Sequence, residues 1–362
     1  MAGSRLMPPP LYSAAALTPT CLGTQPPQSA NALRDLNLQA PVKELVEGRV
    51  VRVDAKICHV EIDGEILQAA PRGSLFENLE GKKNPVAVGD FVKLDTQNQP
   101  AALVEVLPRM NALSRVASSH DPREQVLATN VDQLLVFSSV ASPKFSSNRT
   151  DRILAACEWH RIPTRLVLNK IDLDKKGLLA NFRATYDSVP VPVLETCATN
   201  GEGLDALIEV LRGKLTVLYG PSGAGKSTLL NTIQPGLQLK VGKISSHWEQ
   251  GRHTTTFSRL IHLEMGGAVI DTPGIRVFRL HGIKKSQIRD LFPEFVRVQQ
   301  NCKFPNCTHD HEPECAVLSA LEDGQIAQSR YMSYMEMLVE AAPDDFSFDE
   351  EVETEDEEGE LE

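Results

Sequence analysis

No stretch of this chain approaches the roughly 20 consecutive apolar residues that a membrane-spanning helix needs, so no membrane partner is expected. The first 34 residues contain no Asp or Glu and only two bases, Arg5 and Arg34. They hold no apolar core flanked by basic residues, which argues against a secretory signal, and two bases are sparse for a transit peptide. A disordered extension over 1–42 in a cytoplasmic protein is the expectation, with organellar import the alternative if residues 1–34 are cleaved. Basic residues are missing from the other end: Asp344 to Glu362 hold twelve acidic side chains and no Lys or Arg. Taking those twelve charges from the net −11 leaves a body of about +1, so the acidity sits in one run. Such a run repels itself, and 343–362 is expected to be a disordered tail.

A disulfide framework is also lacking. Seven cysteines are an odd number; Cys21, Cys58, Cys157 and Cys197 are scattered, whereas Cys302, Cys307 and Cys315 cluster beside His309 and His311. Clustered Cys and His point to a metal and to a reducing compartment. Internal repeats are absent too. What remains is 362 residues with 41% hydrophobic content, enough for two or three domains with buried cores.

From Glu47 to Arg109 apolar and polar residues alternate, with turn chemistry at Asp63-Gly64 and Gly89-Asp90. Several short strands at this spacing predict a small OB-type β-barrel over 43–112, a fold that either binds RNA or only packs on its neighbour. Asn111 to Gln125 is polar and turn-rich and reads as a linker. Strands then alternate with helices over 113–280, which predicts an α/β domain with a parallel, doubly wound sheet. From His281 the pattern turns helical, giving a small domain over 281–342.

GPSGAGKS follows the apolar strand LTVLY and precedes the helix STLLNTI. That is the context a phosphate loop requires. Gly220, Pro221, Ser222, Gly223, Ala224 and Gly225 form a loop whose backbone N–H groups, which Pro221 lacks, would turn toward phosphate oxygens at a helix N-terminus. Lys226 would reach the β- and γ-phosphates, Ser227 would ligate Mg²⁺, and Thr228 follows in the same turn. NKID, Asn169-Lys170-Ile171-Asp172, ends another apolar strand. The Asp172 carboxylate can accept from guanine N1–H and the 2-amino group, and adenine offers neither, so the pair of motifs selects GTP. TCATNGEGL places Cys197 and Ala198 where a guanine base would be backed. DTPG brings Asp271 to Mg²⁺ and Gly274 toward the γ-phosphate. GRHTTT lies between, with Thr255 or Thr256 as the switch residue completing the Mg²⁺ shell.

The order of these motifs is inverted. The guanine-reading strand precedes the phosphate loop by about 50 residues. A parallel sheet tolerates this if old termini are joined and new ones opened, with GLDALIEVLRG as the joining helix. Cys302, Cys307, His309 and Cys315 supply three thiolates and an imidazole, the set of a closed structural Zn²⁺ site; His311 is the rival ligand.

In this order NKID, TNGEGL, GPSGAGKS, GRHTTT, DTPG and CKFPNCTHDHEPEC resemble the ribosome small-subunit-dependent GTPases of the circularly permuted YjeQ type. The resemblance spans about Glu47 to Ala341. It implies an OB-type barrel, a permuted P-loop GTPase domain and a helical zinc domain. The implied partners are the small ribosomal subunit and its rRNA, bound by a monomer late in subunit maturation, with subunit-stimulated hydrolysis. After DTPG stands Ile275 where many GTPases carry a water-orienting glutamine; the resemblance gives that part to His253. A competing reading is a nucleotide-gated RNA-binding module whose hydrolysis is incidental. RNA binders are usually basic, and local clusters at Lys82-Lys83 and at Lys284-Lys285 with Arg289 are the candidates here.

Overall fold

The computed structural model describes residues 45–341 except 78, 80, 119, 176, 238, 240–257 and 272–277. Its first five strands are β1 (Val46–Val53), β2 (Cys58–Ile62), β3 (Glu65–Pro71), β4 (Phe91–Asp95) and β5 (Ala101–Val106), with a one-turn helix α1 (Ser74–Glu77) after β3. They pair in the order β1-β2-β3-β5-β4, and β1 also pairs with β4, so the sheet closes on itself. Only β3 and β5 run parallel within it. This is the partly open Greek-key barrel of an OB-fold. Alternation drives it: Val50, Val60, Val92, Leu94 and Leu103 are fully buried inside. At the β2–β3 turn Asp63 and Gly64 both take positive φ, 49° and 87°, as a tight hairpin turn demands.

The expected linker is instead a hairpin. Strands β6 (Ala112–Ser118) and β7 (Asp121–Thr129) pair antiparallel and apart from the main sheet. Ser118 and Arg123 near the turn are exposed, while Leu113, Ser114, Val126, Ala128 and Thr129 are buried. The polarity of the segment reflects its exposed turn and its buried Ser114 and Thr129, not a lack of structure.

Five parallel strands follow, in the spatial order β10 (Val193–Thr196), β9 (Thr164–Asn169), β8 (Gln133–Ser139), β11 (Leu215–Tyr219), β13 (Ala268–Asp271). β12 (Arg259–His262) joins antiparallel to β13 and bridges to β1 through Arg52 and Arg259, so barrel and sheet are continuous. Side chains of these strands alternate between two cores. Leu134, Val136, Leu166, Val217 and Ile270 face α2 (Ser147–Trp159) and α3 (Leu178–Tyr186). Leu135, Phe137, Val167, Leu218 and Val269 face α4 (Leu204–Leu211) and α5 (Lys226–Ile233). Both faces are covered, as a parallel sheet requires. α4 carries the chain from the edge strand β10 to the central β11, where the joining segment was expected.

The C-terminal part is built from a 3₁₀ turn at Lys285–Leu291, α6 (Pro293–Val296), α7 (Ala316–Glu322) and α8 (Gln328–Glu340). Its core is aromatic: Phe295 packs against Phe292 at 5.0 Å and Tyr334 at 4.9 Å between ring centres. α8 lies on α2. Arg330, 1% exposed, bonds Asp151 of α2 at 2.8 Å and Glu294 of α6 at 2.7 and 3.1 Å, with its guanidinium 4.5 Å from the Phe292 ring centre. Tyr186 of α3 donates to the same Asp151 oxygen at 2.9 Å. Among the described residues no helix is long and apolar enough to cross a membrane.

Candidate functional site

The parallel strands end together. Across neighbouring strands Ser139 stands opposite Asn169, Asn169 opposite Thr196, and Leu218 opposite Asp271. The carboxyl ends of such strands form the crevice in which open α/β sheets bind ligands. All the described nucleotide motifs therefore arrive at one edge, whatever their order in the chain.

β11 is buried throughout and delivers the chain into the loop Gly220–Gly225, and α5 starts at Lys226. Two glycines are dictated by contacts. Gly220 has φ 151°, and a Cβ there would lie 2.5 Å from the Phe137 carbonyl oxygen; Gly225 has φ 98°, and its Cβ would lie 2.0 Å from Asn169 Nδ2. Gly223, at φ 84°, completes the turn. Pro221, Ser222 and Ala224 fill the loop, and Ser227 and Thr228 lie in the first turn of α5. Lys226 Nζ donates to the Gly220 and Pro221 carbonyls at 2.7 and 3.2 Å, which keeps the ammonium inside the loop. Burial lowers its pKa, and the field of Asp271 opposes that shift.

Asn169 joins the two halves of the site. It is 1% exposed, donates from Nδ2 to the Ala224 carbonyl at 2.9 Å and accepts from Thr196 Oγ1 at 3.3 Å. Lys170 adopts a left-handed conformation with φ 64° and donates from Nζ to the Ser142 carbonyl. Asp172 is exposed and accepts from Thr199 Oγ1 at 3.4 Å. Cys197 is buried; its N–H donates to Glu202 O and its carbonyl accepts from Gly201, which closes the turn that carries Ala198. Asp271 ends β13 beside the phosphate loop. His253, Thr255, Thr256 and Gly274 lie outside the described residues.

The second cluster lies in the C-terminal part. The donor atoms of Cys302, Cys307, His309 and Cys315 all fall within 4.8 Å of one another. Cys302 Sγ is 3.7 Å from His309 Nδ1 and 4.0 Å from Cys315 Sγ, and His309 Nδ1 is 3.4 Å from Cys315 Sγ. Ligands about 2.3 Å (sulfur) and 2.1 Å (nitrogen) from a tetrahedral Zn²⁺ sit roughly 3.6–3.8 Å apart, so the set fits that ion. His309 Nε2 is 3.4 Å from Gln299 Oε1, the outer contact that points Nδ1 into the cluster. Tyr331 and Tyr334 donate to the carbonyls of His309 and Thr308 at 2.8 and 2.6 Å. His311 is 82% exposed, beside Asp310, and stands outside the cluster.

Comparison with known proteins gives the family. A family model described as RsgA GTPase matches residues 106–281. The "Small ribosomal subunit biogenesis GTPase RsgA" of Bacteroides fragilis is 38% identical over 280 residues, which cover 76% of this chain and 90% of that protein. The protein of the same name from Chlorobaculum tepidum is 38% identical over 309 residues, covering 82% and 98%. This chain belongs to the RsgA GTPase family. Its activity is accordingly GTP hydrolysis. Among solved structures, that of YjeQ from Thermotoga maritima superposes with a TM-score of 0.65 at 32% identity, covering 82% of this chain and 98% of the other. YloQ, described as a circularly permuted GTPase, gives 0.59 at 30% identity, covering 82% and 95%. The fold is thus that of the RsgA GTPases: a permuted P-loop domain behind an OB-type barrel, with a Cys/His domain after it.

Several residues that shape this RsgA-type site carry no signal in the sequence. Thr196 and Gln299 are ordinary polar residues until the fold places them against Asn169 and His309. Arg289, a candidate RNA contact, donates to the Pro305 and Cys307 carbonyls and braces the Cys/His loop. Lys83 faces Asp121 at 3.7 Å.

Proposed function

We propose that this chain is a monomer that binds GTP at the strand-end crevice and hydrolyses it to GDP and phosphate on the small ribosomal subunit, late in that subunit's maturation. The observation that carries the reading is the Asn169–Ala224 bond, which ties the guanine motif to the phosphate loop. The partner is proposed from the relatives' names together with the OB-type barrel, a fold that commonly binds nucleic acid. The compartment is the cytoplasm, or an organelle if residues 1–34 direct import.

In this reading Asp172 reads guanine N1–H and the 2-amino group, Asn169 and Lys170 hold the base edge, and Cys197 and Ala198 back it. The N–H groups of Gly220 and of Ser222 to Thr228 cradle phosphates, and Lys226 takes the β- and γ-oxygens. Ser227, Asp271 and one of Thr255 and Thr256 would hold Mg²⁺, which when bound neutralises charge between the β- and γ-phosphates. The Gly274 N–H faces the γ-phosphate, and His253 orients the attacking water. Zn²⁺ in the Cys302, Cys307, His309 and Cys315 cluster is structural, because four protein donors leave no place for water.

Isothermal titration with GTP and ATP tests the nucleotide assignment. A GTP preference of about a hundredfold or more is expected from the Asp172 contacts. Equal affinities would overturn it.

A further inference from the structure

Beside the phosphate loop, on the α2 face of the sheet, lies a small cleft. It brings together Lys144, Ser146, Arg149, Thr150, Tyr219 and Pro221, and no acidic side chain lines it. The N-terminal turn of the thirteen-residue helix α2 forms one wall, with Ser146 as its cap. The first N–H groups of a helix find no partner within it and favour an anion. Lys144 is exposed and Arg149 half-buried, and neither enters an ion pair among the described residues. The loop that carries Lys144 is held in place, because Lys170 of the guanine motif donates to the Ser142 carbonyl.

A buried donor in the same cleft points independently to a ligand. Tyr219 is 2% exposed, and its hydroxyl has no hydrogen-bond partner among the described residues. Buried hydroxyls are normally bonded. Burial pushes this phenol up to about 12, with the charge of Arg149 opposing, so at neutral pH it is an unused O–H donor. The cleft thus offers a neutral donor at the end of β11, a guanidinium on α2 and an ammonium on the loop before α2. Its volume is about 10 Å³, room for one oxygen-sized group. A tetrahedral oxyanion can place one oxygen there and turn the others toward the two cations, whereas a whole nucleotide is too large to enter.

We infer that this cleft is a second phosphate seat, in which inorganic phosphate accepts from the Tyr219 hydroxyl and pairs with Arg149 and Lys144, against Pro221 of the phosphate loop. That the seat is a second one rests on the strand-end crevice taking the nucleotide. Hydrolysis of GTP releases such an anion, so the seat can hold the product beside the loop after it has left the nucleotide.

Phenylglyoxal modification of Arg149, followed by peptide mapping, tests this in the full chain. The chain is first saturated with Mg²⁺ and the β,γ-imido analogue of GTP, so that the phosphate loop is filled; calorimetric titration checks that saturation separately. Inorganic phosphate should then slow modification of Arg149 about fivefold or more, while sodium chloride at matched ionic strength should not. Arg161, exposed beyond the other end of α2, should react equally fast throughout. Tyr219→Phe and Lys144→Gln should each raise the half-protecting phosphate concentration about fivefold or more, since each removes a charged or charge-assisted contact. The Phe variant keeps the ring against Phe278, 6.1 Å away, and Lys144 is exposed, so neither change opens the core. Arg149 left unprotected, equal protection by chloride, or a half-protecting concentration unmoved by both substitutions would overturn the inference. Protection seen only without the analogue would place the phosphate in the phosphate loop and overturn it too. Protection by a single-stranded RNA but not by inorganic phosphate would give the cleft to RNA instead.

Discussion

At the scale of single residues, the site rests on a few side chains with separable duties. In the proposed site Asp172 reads the base; it is exposed and accepts from Thr199 Oγ1 rather than from any core group, so its loss should act on recognition alone. Replacing it with Ala removes two acceptors for guanine N–H groups, a loss of about 3 kcal/mol or more than a hundredfold. GTP affinity should fall by that factor in titration calorimetry while ATP affinity stays where it was; parallel losses would show a folding defect. His253→Ala should leave GTP binding intact and lower subunit-stimulated turnover; unchanged stimulated turnover would remove it from the mechanism. The motifs that carry these two expectations were legible in the sequence because such chemistry needs fixed residue types at fixed spacing. Thr196, Gln299 and Tyr219 were not, since each gains its place only through a neighbour brought in by the fold.

At the scale of elements, strands were readable where alternation or a continuous apolar run was strong, as in β1, β8 and β11. The hairpin β6–β7 gives no such signal, because buried Ser114 and Thr129 interrupt its apolar positions and its turn end is polar. Helix α3 carried no start signal: its cap comes from Asp174, whose carboxylate accepts from the Leu178 and Leu179 N–H groups at 2.8 and 3.0 Å, while Gly177 stands at the N-cap itself. Only Phe182 and Tyr186 of its residues are buried, too few to show a helical period. The contact between α2, α6 and α8 was equally hidden. Arg330 lies 179 residues from Asp151 and 36 from Glu294. This fastening has a mechanical consequence: the C-terminal part cannot swing away from α2 without breaking a buried ion network. Arg330→Met should cost about 3–5 kcal/mol by leaving two buried carboxylates unpaired, measurable by urea unfolding. A change within about 1 kcal/mol would mean the carboxylates find other partners.

At the scale of the whole molecule, barrel, sheet and C-terminal part form a continuous frame, with β12 bridging to β1 on one side and α8 clamped to α2 on the other. The permutation was legible because motif order is visible in a sequence; the frame was not, because every link in it is long-range. One zinc per chain is expected by elemental analysis, and Cys307→Ser should abolish it and lower the melting temperature. GTP binding should survive, because the strand-end crevice draws on separate cores. Retained zinc in the Cys307→Ser protein would rule out the four-ligand site. Binding to subunits should weaken as salt rises, since contacts to phosphate release counterions, and salt-independent binding would argue against an RNA partner.

The most direct measurement is steady-state GTP hydrolysis by the purified chain with small subunits, with large subunits and with neither. Stimulation above about tenfold, some 1.4 kcal/mol of barrier, by small subunits alone is the predicted result. Equal turnover in all three, or stimulation by large subunits, would contradict the account.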